Sequence, residues 1–221
     1  MKWTGKVAAC GVLLFAASLN AAAAEPGYYF GALGGHADYS FVQTPYARFF
    51  GPGDEDNSTA WGLTVGYRPI RYAAFEVDLM DLGQLEYSKT SLQPTFPPGP
   101  FSHLVEARFS RELKTRGFTV AALGILPIRD SWSVYARAGV FFARMDLTLT
   151  QENYPVGNGS NTLTSSYESL LWGAGTQVDF GAHWSVHADF QRFNNIGDTD
   201  FESGGGRADI DLLSLGVIFR L

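Results

Sequence analysis

The stretch that decides the fold is residues 211–221, DLLSLGVIFRL, at the end of the chain. One face of this stretch is apolar and carries Leu213, Leu215, Val217, Phe219 and Leu221. The other face carries Ser214, Gly216 and Arg220, with Ile218 as an apolar exception. Because successive side chains of a strand point to opposite faces, this period of two predicts a strand with one apolar and one mostly polar face.

The same alternation recurs upstream and predicts eight strands in all. They cover about residues 27–41, 59–67, 72–87, 114–126, 132–148, 167–180, 184–194 and 211–221. Short turns at 68–71, 127–131 and 181–183 alternate with four long connections, among them a Pro-rich segment after the third strand and a glycine-rich stretch at 157–161. This alternation of short and long connections is typical of a membrane barrel with an even number of strands.

The two faces of the predicted strands differ in chemistry. The outward register is apolar, as at Val65, Val77 and Trp172, whereas the inward register holds polar residues such as Thr64 and Ser185. Tyr67, Trp132, Phe180 and Trp184 lie beside the short turns, where an interfacial aromatic girdle belongs. A soluble barrel or sandwich hides its apolar face instead. The pattern therefore predicts an all-β, eight-stranded, antiparallel up-and-down transmembrane β-barrel.

The start of the chain predicts export. Residues 1–24 read as a cleaved secretory signal, with Lys2 and Lys6 before an apolar run and Ala22–Ala24 before Glu25. The barrel domain then covers residues 25–221. Cys10, the single cysteine, is removed with the signal, so no disulfide is expected. The formal net charge of -6 excludes nucleic acid as an electrostatic partner.

Several segments resemble one known family. These are residues 189–198 (DFQRFNNIGD), residues 213–221 (LSLGVIFRL), the tripeptide at 75–77 (FEV) and residues 135–139 (YARAG). They are similar to the transmembrane domain of the outer membrane protein A (OmpA) family. The resemblance implies an outer-membrane barrel with both termini in the periplasm. It also implies insertion by the outer-membrane assembly machinery, for which Phe219 and Leu221 would form the C-terminal signal.

The chain departs from that family in three respects. It stops at Leu221, so we expect no C-terminal peptidoglycan-binding domain, and this last residue replaces the family's phenylalanine. The family's lumen holds a charged network, and Glu76 and Arg137 match it. Leu123, Gln177 and His187 stand where lysine, glutamate and arginine are expected. The resemblance therefore implies a gating network that is only partly retained.

The inward register gives the first candidate site. We expect a polar network in the lumen made of Glu76, Arg137, Gln177, His187 and Asp189. Glu76 and Arg137 lie a few residues above a short turn on strands two apart, and a buried charge without a partner is costly, so these two should pair. The pair is either a structural polar core or a gate whose rearrangement admits ions.

The outward register gives a second candidate site. Lys114, Arg116, Arg144 and Arg192 fall near the loop ends of their strands. Such cations suit the phosphates of lipopolysaccharide, since arginine can make bidentate phosphate contacts. The alternative is a solvated rim above the membrane. Aromatic residues in the long loops suit contact with host or phage surface molecules: Tyr46, Phe49, Phe50, Phe96 and Phe101.

No catalytic constellation is present in the sequence. His36, His103, His183 and His187 fall in four different elements without metal-ligand spacing, so we expect no metal, no cofactor and no enzyme. The sequence favours a structural and surface-interaction protein of the bacterial envelope. The alternatives are a narrow gated channel for ions or small solutes and, third, a lipid-modifying enzyme with a Ser/His pair. A wide porin is disfavoured because side chains fill the interior of eight strands.

Overall fold

The fold is a single closed β-barrel. The computed structural model describes residues 26–41, 57–94, 104–154, 157–197 and 207–221. Their strands are β1 (Gly27–Phe41), β2 (Asn57–Ile70), β3 (Ala73–Pro94), β4 (Leu104–Arg129), β5 (Trp132–Tyr154), β6 (Gly157–Phe180), β7 (Trp184–Ile196) and β8 (Ala208–Arg220). Each strand pairs antiparallel with the next, and β1 pairs with β8 to close the ring. The predicted eight-stranded up-and-down architecture is confirmed.

No helix that could span a membrane occurs in the ranges given above. The expected signal at residues 1–24 lies outside those ranges.

Two strand boundaries differ from the prediction by about ten residues. β4 begins at Leu104 and not near residue 114, and β6 begins at Gly157 and not near residue 167. The glycine-rich stretch at 157–161 is therefore strand and not loop, since Gly159 pairs with Gln151. β3 likewise continues to Pro94.

The barrel consequently has two parts. β1, β2, β7 and β8 have 13 to 15 residues, whereas β3 to β6 have 22 to 26. The described pairing of β2 with β3 ends at Asp81, and that of β6 with β7 begins at Leu170. Above this level the four long strands continue as a sheet on one side of the ring. We call this sheet, residues 84–94, 104–115, 145–154 and 157–168, the outer extension.

The polarity of the two faces reverses between the ring and the outer extension. In the ring the outward residues are apolar and exposed, for example Val65 and Leu79, while polar residues such as Asp78 are buried inside. In the outer extension Thr148 and Thr164 lie on the outward register, and Leu85, Leu113 and Tyr167 pack inward against the core. Lipid outside a ring requires apolar side chains there, but water outside the extension does not. The reversal explains why the strand prediction stopped at this level.

A bulge in β3 exchanges the inward and outward rows of that strand at the level where the polarity reverses. Three residues advance β3 from Asp81 to Gln84 while β4 advances two, from Arg116 to Lys114. Gly83 adopts φ +84°, a conformation that favours glycine, and its N–H donates to Asp81 Oδ1 at 2.8 Å. Below the bulge Leu82 points inward; above it Leu85 does.

Candidate functional site

The lumen of the ring holds a buried ionic network around Arg137. The Arg137 guanidinium donates to Glu76, and its Nη1 lies 3.6 Å from Asp78 Oδ2. Tyr29 donates its hydroxyl proton to Glu76 Oε1 at 2.6 Å. Thr119 donates to Asp78 Oδ2, also at 2.6 Å. Four strands therefore meet in one polar plug across the barrel.

A second group of polar side chains lies beside this plug. Tyr135 donates to Asp189 Oδ1, and His187 Nε2 lies 3.5 Å from Asp189 Oδ2. Gln191 is fully buried, and neither its amide nitrogen nor its amide oxygen has a partner among the described residues. Buried polar groups need partners, so this part of the lumen suits ordered water.

Small residues on the inner wall make room for the large ones. A Cβ on Gly66 would overlap the ring of Tyr29, and one on Gly175 would overlap Tyr135. A Cβ on Gly173 would lie 3.2 Å from Cγ of Arg137. The inward register of the sequence contains these glycines, and the large side chains of the plug occupy the space that their missing side chains leave.

The network contains more acids than bases. Glu76, Asp78 and Asp189 face Arg137, while His187 is charged only when protonated. All five side chains are buried. The network around Arg137 therefore holds three carboxyl groups and one permanent cation.

The predicted lumen residues fall into two places. Glu76, Arg137, His187 and Asp189 meet in the ring, but Gln177 lies nearer the short turns. Its amide nitrogen donates to Asp179 Oδ1 at 2.8 Å. The same oxygen accepts from Ser185 Oγ at 2.8 Å and from Arg220 Nη2 at 2.7 Å.

Sequence reasoning did not include four members of the network, Tyr29, Asp78, Thr119 and Tyr135. Asp78 and Tyr135 lie two residues from Glu76 and Arg137 and so share their inward register. That parity was a usable signal for both. Tyr29 lacked such a signal, because its role depends on the glycine at position 66 of the neighbouring strand.

The four predicted outward cations do not form one cluster. Lys114 and Arg116 on β4 lie beside Arg144 on β5, which is directly opposite Arg116. Arg192 lies on β7, and its guanidinium is 3.1 Å from Asp209 and 3.5 Å from Asp211.

Acidic side chains already contact these cations. Arg116 is 2.9 Å and Arg144 is 3.4 Å from Asp146, while Lys114 is 2.7 Å from Glu112. The Thr164 hydroxyl donates to Asp146 Oδ1 at 2.6 Å, and this bond, helped by both arginines, holds the pKa of Asp146 below its usual value. Asp146 lies above the apolar belt and stays ionised near neutral pH.

The predicted assembly residues lie at the short-turn end. The ring of Phe219 contacts the rings of Phe30, Trp184 and His183 at centroid distances of 5.4, 4.9 and 5.7 Å. Leu221 is 75% exposed, and its N–H donates to the carbonyl of Tyr28.

Two further predictions concern the long loops and the absence of a metal site. The loop aromatics and His103 lie outside the described ranges. Over the ranges that are described, no group of His, Cys, Asp and Glu side chains could hold a metal ion.

Comparison with known proteins gives one family. A family model described as OmpA-like transmembrane domain matches residues 23–221. Outer membrane protein A of Yersinia pseudotuberculosis serotype I (strain IP32953) is 26% identical over 220 residues, covering 100% of this chain and 56% of that protein. The chain thus spans little more than half the length of this relative.

Solved structures with a similar fold are outer-membrane barrels. Neisserial surface protein A matches with a TM-score of 0.58 and 16% identity, over 88% of this chain and 97% of that one. Ail of Yersinia pestis, in complex with the heparin analogue sucrose octasulfate, matches with a TM-score of 0.45 and 13% identity, over 89% and 99%. The first likeness shows the fold alone, and the second supports no argument about this chain.

Proposed function

The chain belongs to the family of OmpA-like transmembrane domains, which makes it an outer-membrane β-barrel, and we propose that its role is structural and surface-interacting. The observation that carries this proposal is the filled lumen. Tyr29, Glu76, Arg137 and Tyr135 are each at most 6% exposed, and glycines on the neighbouring strands make room for them. An eight-stranded ring has little interior beyond what such side chains occupy.

The proposed orientation places the short-turn end in the periplasm. Both ends of the described chain lie there, since Tyr29 pairs with Arg220. The outer extension then faces the surroundings, and its polar outward face and the long loops are the surface offered to host or phage molecules. Phe219 and Leu221 would be read by the assembly machinery on the periplasmic side.

The test of the structural role is single-channel conductance of the mature chain refolded into a planar bilayer. A gel shift between unboiled and boiled samples identifies folded protein in the same preparation. We expect folded protein to be electrically silent. Reproducible openings that scale with the folded fraction would reject a closed structural barrel.

The second candidate function is a narrow cation channel gated by the Glu76–Arg137 pair. The three carboxyl groups around the single arginine of this network and the partnerless amide of Gln191 favour it. Replacing Glu76 with alanine should then produce openings that the parent chain lacks. Silent traces from both folded proteins would remove this candidate.

We propose no catalytic role. Among the described residues His36 and His187 contact aspartates, and His183 contacts the carbonyl of Arg220. None of the three makes a described hydrogen bond to a serine hydroxyl. A Ser/His pair of the kind a lipid-modifying enzyme requires therefore lacks support.

Lipopolysaccharide is a proposed partner of the outward cations. Lys114, Arg116 and Arg144 stand together just above the apolar belt, which is the level of lipid phosphates. Replacing these three and Arg192 with glutamine should weaken lipopolysaccharide binding to the refolded barrel. Unchanged binding would identify a solvated rim.

A further inference from the structure

A cleft of about 160 Å³ lies at the short-turn end, between the β2–β3 and β4–β5 turns. Its charged lining consists of Arg68, Arg71, Arg129, Asp130 and Asp179. Nothing in the proposed function uses this cleft, which lies at the opposite end of the barrel from the outer extension.

Arg68 is the unusual residue of the cleft, because it is a buried cation without an acidic partner. It is 6% exposed, its Nε has no hydrogen-bond partner, and its Nη2 donates to the carbonyl of Arg71. No carboxylate of the described residues lies within ion-pair distance of it. By contrast, the buried Arg137 and the partly buried Arg220 both contact carboxylates. A buried charge that is unpaired is costly, so an anion from outside the chain would be bound favourably.

Asp179 attracts Arg68 across the cleft but forms no ion pair with it. Its Oδ1 already accepts hydrogen bonds from Gln177, Ser185 and Arg220, and the Arg220 contact is an ion pair of 2.7 Å. Asp130 is exposed in the β4–β5 turn, directly after Arg129. Asp179 is thus paired with Arg220, and Asp130 lies next to Arg129. Arg68 and Arg71 therefore still give the cleft a positive charge.

We propose that this cleft binds a phosphate-bearing anion, with Arg68 as its central contact and Arg71 and Arg129 at its entrance. The planar guanidinium fork matches phosphate oxygens in a bidentate manner, and arginine is only weakly hydrated, which favours it in a half-enclosed site. Trp132 lines the same cleft, and Tyr67 and Tyr72 are exposed near it. Such aromatic residues mark the level of lipid headgroups, so the phosphate belongs either to a headgroup or to a free anion.

The first arm of the test uses inorganic phosphate. The full mature chain is refolded in non-ionic detergent, and phosphate binding is measured by calorimetry for the parent, Arg68→Gln and Arg108→Gln. Loss of a charge-assisted bidentate contact should weaken binding about tenfold or more in Arg68→Gln. Arg108→Gln removes an exposed arginine of the outer extension, at the other end of the barrel, and should change phosphate binding by less than about twofold.

The second arm uses lipid. Folded protein is equilibrated with mixed micelles containing phosphatidylglycerol or zwitterionic phosphatidylcholine, and lipid retained on the barrel is counted by native mass spectrometry. Retention of phosphatidylglycerol that depends on Arg68, without binding of free phosphate, assigns the site to a headgroup. Binding of free phosphate that depends on Arg68 assigns it to a soluble anion.

The proposal fails if neither probe binds, or if Arg68→Gln and Arg108→Gln behave alike. Folding of each variant is verified by its gel shift. Should Arg68→Gln not refold, Arg71→Gln takes its place, because Arg71 is exposed and still lines the cleft. Binding of phosphate or lipid at this cleft does not depend on whether the lumen conducts ions. Failure of this proposal is therefore distinguishable from failure of the proposed structural role.

Discussion

Arg137 on β5 donates to Glu76 on β3 across the inside of the barrel, although 61 residues separate them in the chain. β4 lies between their strands and contributes small residues at this level, with Ala121 pairing Glu76 on one side and Gly139 on the other. The ion pair thus passes over β4 on the inner wall and links two non-adjacent strands. The pair therefore helps to fill the interior and also cross-links β3 to β5.

Removing Glu76 should destabilise the barrel strongly. Glu76→Ala leaves Arg137 with only the more distant Asp78, and breaking a buried pair in this way costs about 3 kcal/mol or more. Urea titration of the folded fraction, followed by the gel shift, measures the loss. Once Glu76 is absent, adding Arg137→Met should cost far less than it does alone. Strictly additive losses would show that the two side chains do not act as a pair.

Filling the space at Gly66 should displace Tyr29. Gly66→Ala introduces a Cβ into the position of the tyrosine ring, and overpacking of this kind costs about 1–3 kcal/mol. Gly124→Ala is the matched control, since no atom lies within 4 Å of a Cβ there and the position faces outward. Unfolding in urea should shift for the first variant and not for the second. Equal shifts would contradict a tightly filled lumen.

Loss of the proposed assembly signal in β8 should lower the amount of folded protein in cells more than it lowers the refolding yield in detergent. Phe219→Ala removes an aromatic residue from the proposed assembly signal, and it also removes ring contacts to Phe30 and Trp184. Trp184→Ala removes one of those contacts but leaves the signal intact, so it serves as the control. We expect the surface level of folded Phe219→Ala protein to fall well below that of Trp184→Ala, at similar refolding yields in vitro. Parallel losses in both assays would assign the effect of Phe219 to packing.

Acid should loosen the outer extension through Asp146. The pKa of this carboxyl is lower in the folded state, so its stabilising contribution is complete above the unfolded value of about 3.9 and is lost as pH falls through the folded value. Arg116 and Arg144, directly opposite each other, then repel. Hydrogen-exchange protection of β4 and β5 near these residues should fall with acid in the parent. Asp146→Asn should show low protection at every pH, and an acid-sensitive Asp146→Asn would exclude this carboxyl as the cause.

The buried charge of Arg68 should lower the stability of the barrel when its proposed anion is absent. In phosphate-free, non-ionic detergent, Arg68→Met should be as stable as the parent or more so, because it replaces an unpaired buried cation with an apolar chain of similar length. Added phosphate should stabilise the parent and leave the variant unchanged. Thermal unfolding at several phosphate concentrations measures both effects. A variant that is less stable without phosphate would indicate that Arg68 has a structural partner.

Period-two alternation was sufficient to predict the strand number, the order and the faces of the ring. It works for Phe75, Val77 and Leu79 because lipid imposes one polarity on the outward register. It fails for residues 104–113, where water lies outside and the apolar members Phe109 and Leu113 turn inward. Glu76 and Arg137 were predictable from parity and the cost of a lone buried charge. Arg68 was not, since its isolation depends on Arg220 and Asp179, which come together only when the last strand closes the ring.

The bulge at Gly83 sets the hydrophobic thickness of the bilayer that matches β3. Beneath it the outward row ends at Leu79, and beside it Asp81 and Arg116 stand directly opposite each other. In a thicker bilayer these charges would be drawn into hydrocarbon, and in a thinner one Leu79 and Phe118 would be left in water. Because one glycine with positive φ sets where the rows exchange on β3, hydrophobic matching of this strand is encoded at a single backbone position and not in its overall composition.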